Sequence, residues 1–263
     1  MIKKMHKKVV SSIILLNLFY SCQSQDSKVV QLDTFDKTFK VDKFYQPRLS
    51  KTDEILSSDV KKMDKKAAKK ALETAMFSKD TLAFYKTNGR LPAEFYVEST
   101  NDWMTRKDKP IKYFGYQYST VAYDAAKDSL AILNKVVFPS LSMTENNKGE
   151  FAYLTATKTS KNKSDFSNIL SFLQKNCTRV NIEDTSSDKI SCWENKDFYY
   201  ILSNEDRKEE VISYDSSGNR NSKTTDVTDI RLHIYSKDYV RAMRNENVYL
   251  PDYLPAGNGK ANK

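Results

Sequence analysis

Histidine, cysteine, glycine and proline are all scarce in this chain of 263 residues, and each scarcity excludes a class of protein. The two histidines are His6 and His233, and three cysteines do not supply the two pairs that a structural zinc site commonly uses. Six glycines and six prolines argue against a low-complexity or fibrous chain. No Walker loop, G-x-G-x-x-G motif or G-x-S-x-G elbow occurs. We therefore predict no metal and no cofactor.

Long apolar runs are also missing outside the amino terminus. Residues 9–20 form an uncharged, mostly apolar stretch of about 12 residues, whereas a helix that spans a bilayer needs roughly 20. Four lysines precede this stretch: Lys3, Lys4, Lys7 and Lys8. Ser21 and Cys22 follow it, and the chain then becomes polar at once. A basic segment, a short apolar segment and a small residue at the cut site are typical of an export signal that is removed.

The block Leu18-Phe19-Tyr20-Ser21-Cys22 resembles the lipobox of bacterial lipoproteins. In that family a signal peptidase cuts just before the cysteine, whose thiol carries a diacylglycerol. The resemblance implies that residues 1–21 are removed and that Cys22 becomes the lipidated first residue of the mature chain. It also implies attachment to a membrane through this lipid, in the bacterial cell envelope. The alternative is an ordinary secretory leader that happens to contain a cysteine.

The net charge of the mature chain is smaller than the full sequence indicates. The formal charge is +9, from 43 basic and 34 acidic residues, but four of the basic residues lie in the leader. The remaining 39 basic and 34 acidic side chains nearly balance. Because strong positive charge is the usual signature of nucleic-acid binding, we expect no nucleic-acid partner.

Two cysteines remain once Cys22 is assigned to lipid. Compartments outside the inner membrane are oxidising, so we expect Cys177 and Cys192 to form a disulfide. Closing that loop would stabilise the fold by about 3 kcal/mol on the chain-entropy model. The alternative is two separate buried thiols.

Alternating apolar patterns with turn-length connections predict an α+β fold, mostly antiparallel sheet with two or three helices. We expect a tether over residues 22–50, an α+β domain over 51–255 and a mobile tail over 256–263. The second half of the domain could be a unit of its own that begins near residue 140.

Apolar spacing and capping residues predict three helices. The first covers residues 58–77 with Ser58 as its cap, the second starts at Ser164 or Asp165, and the third follows Ser236.

Between the second and third helices the pattern predicts short strands near residues 198–203, 211–214 and 230–235. Residues 215–229 are expected to be a loop, whose acidic residues lack the order of a calcium-binding loop.

Two features indicate binding surfaces. The first is a run of lysines on the predicted 58–77 helix, which could meet anionic lipid or an acidic partner: Lys61, Lys62, Lys65, Lys66, Lys69 and Lys70. The second is an aromatic series in which Phe114, Tyr116 and Tyr118 should share one face of a strand. A solvated charged face and ordinary core packing are the respective alternatives.

Catalytic candidates are few. His233 stands between Leu232 and Ile234 in a predicted strand and should point away from their face, without a recognisable nucleophile. Glu94 and Glu98 could share a strand face as a carboxylate pair, beside no known motif. We therefore predict no catalytic residue and a binding or structural role, for example as a periplasmic immunity or scaffold protein with a protein partner. The alternative is an envelope hydrolase with an unrecognised active site.

Overall fold

The computed structural model confirms an α+β fold dominated by one large antiparallel sheet. It describes residues 29–58, 62, 64–67, 76–85, 94–98, 112–121, 129–182, 190–214, 217–246, 248 and 250–255. The helices with defined bounds are a short 3-10 helix (Leu32–Thr34), α1 (Val41–Ser57), α2 (Ser164–Asn176) and α3 (Lys237–Asn245).

The strands carry the fold. In chain order they are β1 (Val30–Gln31), β2 (Met76–Tyr85), β3 (Glu94–Glu98), β4 (Lys112–Val121), β5 (Ala131–Leu133), β6 (Val136–Phe138), β7 (Ser140–Asn146), β8 (Phe151–Ser160), β9 (Thr178–Val180), β10 (Ile190–Glu194), β11 (Phe198–Tyr214) and β12 (Arg220–Ser236). The large sheet has the order β3-β2-β4-β7-β8-β12-β11-β10-β9, with antiparallel neighbours throughout. A small sheet has the order β1-β5-β6, in which β1 is parallel to β5.

Each face of the large sheet is covered by different elements. On one face α1, α2 and the small sheet bury a core that includes Tyr45, Ile169 and Leu173. On the other face α3 and the segment after it bury Val240 and Leu254 in smaller clusters. Full burial of such a side chain contributes about 1.5–3 kcal/mol, so both layers stabilise the sheet.

The last two helices begin where the sequence predicts, but the predicted cap of α2 by Ser164 or Asp165 is wrong, because its N-cap is Lys163 and no side chain caps it. Asp165 lies in the first turn of α2, and its carboxylate accepts hydrogen bonds from Ser160 Oγ at 2.6 Å and Lys158 Nζ at 2.8 Å. Ser236 caps α3, since its hydroxyl accepts a hydrogen bond from the backbone N–H of Tyr239. The Ser236 hydroxyl thus pairs with a backbone N–H at the start of α3. The Asp165 carboxylate pairs with polar side chains at the end of β8, beside the start of α2.

The predicted helix over 58–77 is wrong at both ends. Ser58 ends α1, because its backbone N–H donates to the carbonyls of Glu54 and Ile55. Met76 and Phe77 belong to β2, where Phe77 is buried against Tyr45. Sheet pairing and core burial of Phe77 thus override the helical spacing of the apolar residues.

The predicted tether is also too long, because the folded domain begins before residue 50. Val30 and Phe44 are in the core, and the Tyr45 hydroxyl donates to the carbonyl of Leu141 at 3.0 Å. The buried Glu145 carboxylate accepts a hydrogen bond from the backbone N–H of Asp42 in the first turn of α1. This contact supplies the helix-start acceptor that the side chain of the N-cap residue does not provide.

No boundary divides the large sheet at residue 140. β7, which starts there, pairs with β4 on one side and with β8 on the other. The hydrogen-bonded ladder therefore joins the strands before and after this position in one sheet. The predicted tail over 256–263 lies outside the described residues.

Candidate functional site

Strands β11 and β12 form a hairpin that extends beyond the described parts of the neighbouring strands in the large sheet. Their register is continuous from Phe198↔Ser236 to Tyr214↔Arg220. Among the described residues, β10 pairs with β11 only as far as Ser203, and β8 pairs with β12 only as far as Thr228. We call residues 205–214 and 220–227 the ribbon. At about 3.3 Å per residue, its ten-residue strand measures roughly 33 Å.

The ribbon replaces most of the predicted loop over 215–229. The expectation of a loop is wrong because pairs of polar side chains across the two strands stabilise strand structure here, without the apolar alternation by which a strand is predicted. Thr228 Oγ1 donates to Asp206 Oδ1 at 2.6 Å, and Arg207 Nε donates to Asp229 Oδ2 at 2.5 Å. The hydrogen bond from Arg207 lowers the pKa of Asp229.

The ribbon exposes apolar side chains near its far end. Val211 is 47% exposed and Ile212 is 46% exposed, and as neighbours in a strand they point to opposite faces. A two-stranded ribbon with no core of its own is marginally stable in water. An extension with apolar groups on both faces is therefore suited to contact another macromolecule.

A cleft of about 650 Å³ lies at the base of the ribbon. Lys161 and Lys163 line it from the connection between β8 and α2, and Phe166 of α2 supplies an apolar wall. The ribbon side is lined by residues from both of its strands: Asp206, Arg207, Lys208, Asp226 and Val227. The cleft therefore combines one aromatic surface with four basic and two acidic side chains.

The connection that carries the two lysines is held in place by Asp165. Burial alone would raise the pKa of Asp165, but the hydrogen bonds from Lys158 and Ser160 outweigh burial and lower it. Asp165 is therefore ionised at neutral pH, and its contacts fix the end of β8 against the start of α2.

His233 is packed in an aromatic cluster on the α3 face, as expected from its position between Leu232 and Ile234. Its Nδ1 lies 2.9 Å from Thr155 Oγ1, and its ring stacks on Tyr253 at 5.8 Å between centroids. Burial lowers the pKa of His233 to about 4, so the ring is neutral at pH 7. These contacts are those of a half-buried, hydrogen-bonded histidine. The side chains of Glu94 and Glu98 lie outside the described residues, and the hydrolase alternative stays a prediction.

The two predicted tyrosines have different environments. Tyr118 is buried, stacks on Tyr45 at 5.1 Å between centroids, and donates a hydrogen bond to Glu145 Oε1 at 2.7 Å. Burial, followed by its contact with Glu145, raises the pKa of Tyr118. Tyr116 is 38% exposed, and Lys79 Nζ lies 4.0 Å from the centroid of its ring. Tyr118 thus belongs to the core, and only Tyr116 presents a surface.

Phe114 does not share the face of these tyrosines. The register shifts where Leu82 pairs with Gly115 and Ala83 pairs with Tyr113, so Phe114 is an extra residue in a β-bulge. The bulge turns its ring to the α3 face, where it contacts Tyr239 at 5.6 Å between centroids. The expectation of one aromatic face over all three residues is therefore wrong.

The lysine run is described only in part. Lys62, Lys65 and Lys66 are exposed, and Lys61, Lys69 and Lys70 lie outside the described residues.

Cys177 and Cys192 are free thiols in the structure. Cys177 packs against the core cluster that contains Trp193, whereas Cys192 belongs to a cluster on the opposite face of the sheet. Adjacent residues of a strand point to opposite faces, which is why Trp193 and Cys192 are separated in this way. Burial raises the pKa of Cys177 to about 11 and that of Cys192 to about 12. The predicted bridge stays a prediction, and this arrangement would have to change to form it.

Neither a metal site nor a membrane-spanning helix is found in the described part of the chain. No three acidic, histidine or cysteine side chains among these residues are grouped so that they could hold a metal ion. No helix among them is long and apolar enough to cross a bilayer.

Comparison with known proteins gives no relative on which to rest an assignment. No protein-family model, no curated protein and no solved structure matches this chain.

Proposed function

We propose that this protein is a non-catalytic lipoprotein of the bacterial cell envelope that binds another protein through its ribbon. The observation that carries the proposal is the continuous β11–β12 register beyond Ser203 and Thr228, with Val211 and Ile212 exposed on it. A role as an immunity protein that neutralises a toxin, or as a scaffold, is compatible with such an arm.

The position of the first strand supports a close attachment to the membrane. β1 begins at Val30, only eight residues after Cys22. Eight extended residues span at most about 29 Å. A lipid on Cys22 would therefore hold the folded domain near the bilayer surface, where a projecting arm could reach a neighbouring envelope protein.

The anchor and the arm are tested separately. Mass spectrometry of the purified native protein should find a lipid-modified Cys22 as the first residue, and Cys22→Ser should release the protein from the membrane fraction. An unmodified amino terminus at another residue would contradict the anchor.

For the arm, a photo-crosslinking amino acid is placed at Val211 or Ile212 in the full-length protein inside the cell. Leu56, which is 67% exposed near the end of α1, is the matched control. We expect a discrete protein adduct from the ribbon positions and none from residue 56. No adduct, or the same adducts from all three positions, would exclude the ribbon as the binding surface.

A further inference from the structure

The two edges of the ribbon differ in how they are protected against pairing with another strand. On β11, residues 205–210 are six consecutive charged residues (EDRKEE). On β12, residues 220–227 (RNSKTTDV) carry three charges, on Arg220, Lys223 and Asp226, and no two of them are adjacent. Charged side chains are a common protection of sheet edges against strand addition. The β12 edge is therefore less densely charged than the β11 edge, and it includes the uncharged pair Thr224 and Thr225.

The β12 edge also continues a line of strand pairing that already exists. β8 pairs with β12 up to Ser160↔Thr228 and then leaves for α2. Beyond this point, no described residue pairs with residues 220–227 on that side. An antiparallel strand added there would run in the same direction as β8, with its amino-terminal end beside Lys161.

The charges around this end favour an acidic segment. Lys208 is directly opposite Asp226 in the register, Asp206 accepts from Thr228, and Arg207 pairs with Asp229. Lys161 and Lys163 have no hydrogen-bond or ion-pair partner within the described part of the chain. Apart from Arg207, which pairs with Asp229, the cleft is lined by three basic side chains (Lys161, Lys163 and Lys208) and two acidic ones (Asp206 and Asp226). The balance of charge is therefore positive where the added strand would begin, next to the apolar surface of Phe166.

We propose that the free edge of β12 accepts an extended segment of a partner protein as an added antiparallel strand, with acidic residues at its amino-terminal end. Backbone hydrogen bonds to residues 220–227 provide affinity, and Lys161 and Lys163 set direction and register. This inference rests on the proposed function, because it names the chemistry by which the ribbon binds its partner.

A pair of proline variants tests the backbone pairing. Successive residues of a strand direct their N–H groups to opposite neighbours, so one of Thr224 and Thr225 donates to β11 and the other faces the free edge. Proline at the free-edge position leaves the ladder to β11 intact, because edge strands tolerate proline there. We therefore make both Thr224→Pro and Thr225→Pro. The variant whose circular dichroism shows that it retains the native ribbon carries proline at the free edge and tests the proposal, and the other variant is its control.

The probes are two short fluorescent peptides of alternating threonine and valine, one with two glutamates at its amino-terminal end and one with the same glutamates at its carboxyl-terminal end. Binding to the detergent-solubilised mature protein is measured by fluorescence anisotropy. We expect the first peptide to bind about tenfold more tightly than the second, since two favourable charge contacts of modest size add up to such a factor. Lys161→Glu combined with Lys163→Glu should remove this preference, and proline at the free edge should abolish binding of both peptides.

Three results would overturn the proposal. They are equal binding of the two peptides, no binding of either at millimolar concentration, and binding that survives both proline variants. A dimer of the purified protein that is lost with the free-edge proline would mean that a second copy of this chain occupies the edge instead. If the ribbon adducts at Val211 and Ile212 persist in the proline and lysine variants, the proposed function stands and only edge pairing is excluded.

Discussion

Shortening the ribbon should separate binding from stability. We consider a variant in which residues 208–226 are replaced by an Asn-Gly turn that joins Arg207 to Val227, two residues that are directly opposite in the register. Such a turn suits the twist of a two-stranded hairpin. The variant keeps the Asp206–Thr228 hydrogen bond and the Arg207–Asp229 ion pair.

The expected cost follows from what the deleted residues contact. None of the deleted residues that the structure describes is buried, and the cross-strand ion pair that is lost, between Arg220 and Glu210, is about half exposed on both sides. Exposed pairs of this kind contribute about 0–1 kcal/mol. We therefore expect the free energy of unfolding to fall by less than about 1 kcal/mol, whereas a core truncation such as Ile234→Ala should cost about 2–5 kcal/mol.

The assay is equilibrium denaturation of the wild type, the shortened variant and Ile234→Ala, together with recovery of the partner found by crosslinking at Val211. Native stability with loss of the partner is the expected result for the shortened protein. A stability loss as large as that of Ile234→Ala would show that the ribbon packs on the domain, and retention of the partner would refute the ribbon as the binding surface.

Three further predictions concern single side chains. Burial lowers the pKa of His233 to about 4 in the folded protein, against about 6.5 when unfolded. The stability that the neutral ring contributes is therefore present above pH 6.5 and is lost as the pH falls towards 4, by at most about 3 kcal/mol. Comparing the free energies of unfolding of the wild type and His233→Gln over this range measures the loss, and a His233 ring that titrates by NMR near 6.5 would contradict the prediction. If Cys177 and Cys192 are separated as in the structure, the unfolded, unreduced mature protein should show two reactive thiols. A count of no reactive thiols would establish the disulfide predicted from composition. Tyr118→Phe removes a hydrogen-bond donor from the buried Glu145 and should cost about 1–3 kcal/mol in chemical denaturation, while Tyr113→Phe, at an exposed position, should cost almost nothing.

The fold class could be predicted because its signals are local. The apolar residues of β8 and β12 alternate between faces, and Ser236 marks a helix start with a side chain suited to that position. Such patterns need no knowledge of distant contacts. They fail for Phe114, since one extra residue in β4 moves every preceding side chain to the other face.

The prediction of a tether before residue 50 is wrong for a different reason. Its aromatic residues are spaced irregularly among polar ones, and two of them contact residues far away in the chain. Tyr45 bonds to Leu141, and Phe35 packs against Phe151 and Phe198. Contacts over about a hundred residues leave no periodic trace in the local sequence, so the apolar content was the only signal.

Only part of the ribbon could be predicted: the strand expected near residues 211–214 lies in β11, whereas the charged part before it has no apolar alternation. Residues 205–210 are all charged, and strand structure is supported there by pairing with the opposite strand. The signal that could have revealed it is the matching of opposite charges across a hairpin centred near Gly218, such as Lys208 with Asp226.

β12 runs without interruption from the tip of the ribbon to Ser236, where α3 begins. An irregular loop of similar length would have to be immobilised residue by residue when a partner docks, at a cost of about 1–2 kcal/mol of backbone entropy for each. Here the ladder with β11 has already restricted that freedom during folding. Even a marginally stable ladder leaves less backbone freedom to be lost on docking than an irregular loop would, so less contact area would be needed for the same affinity.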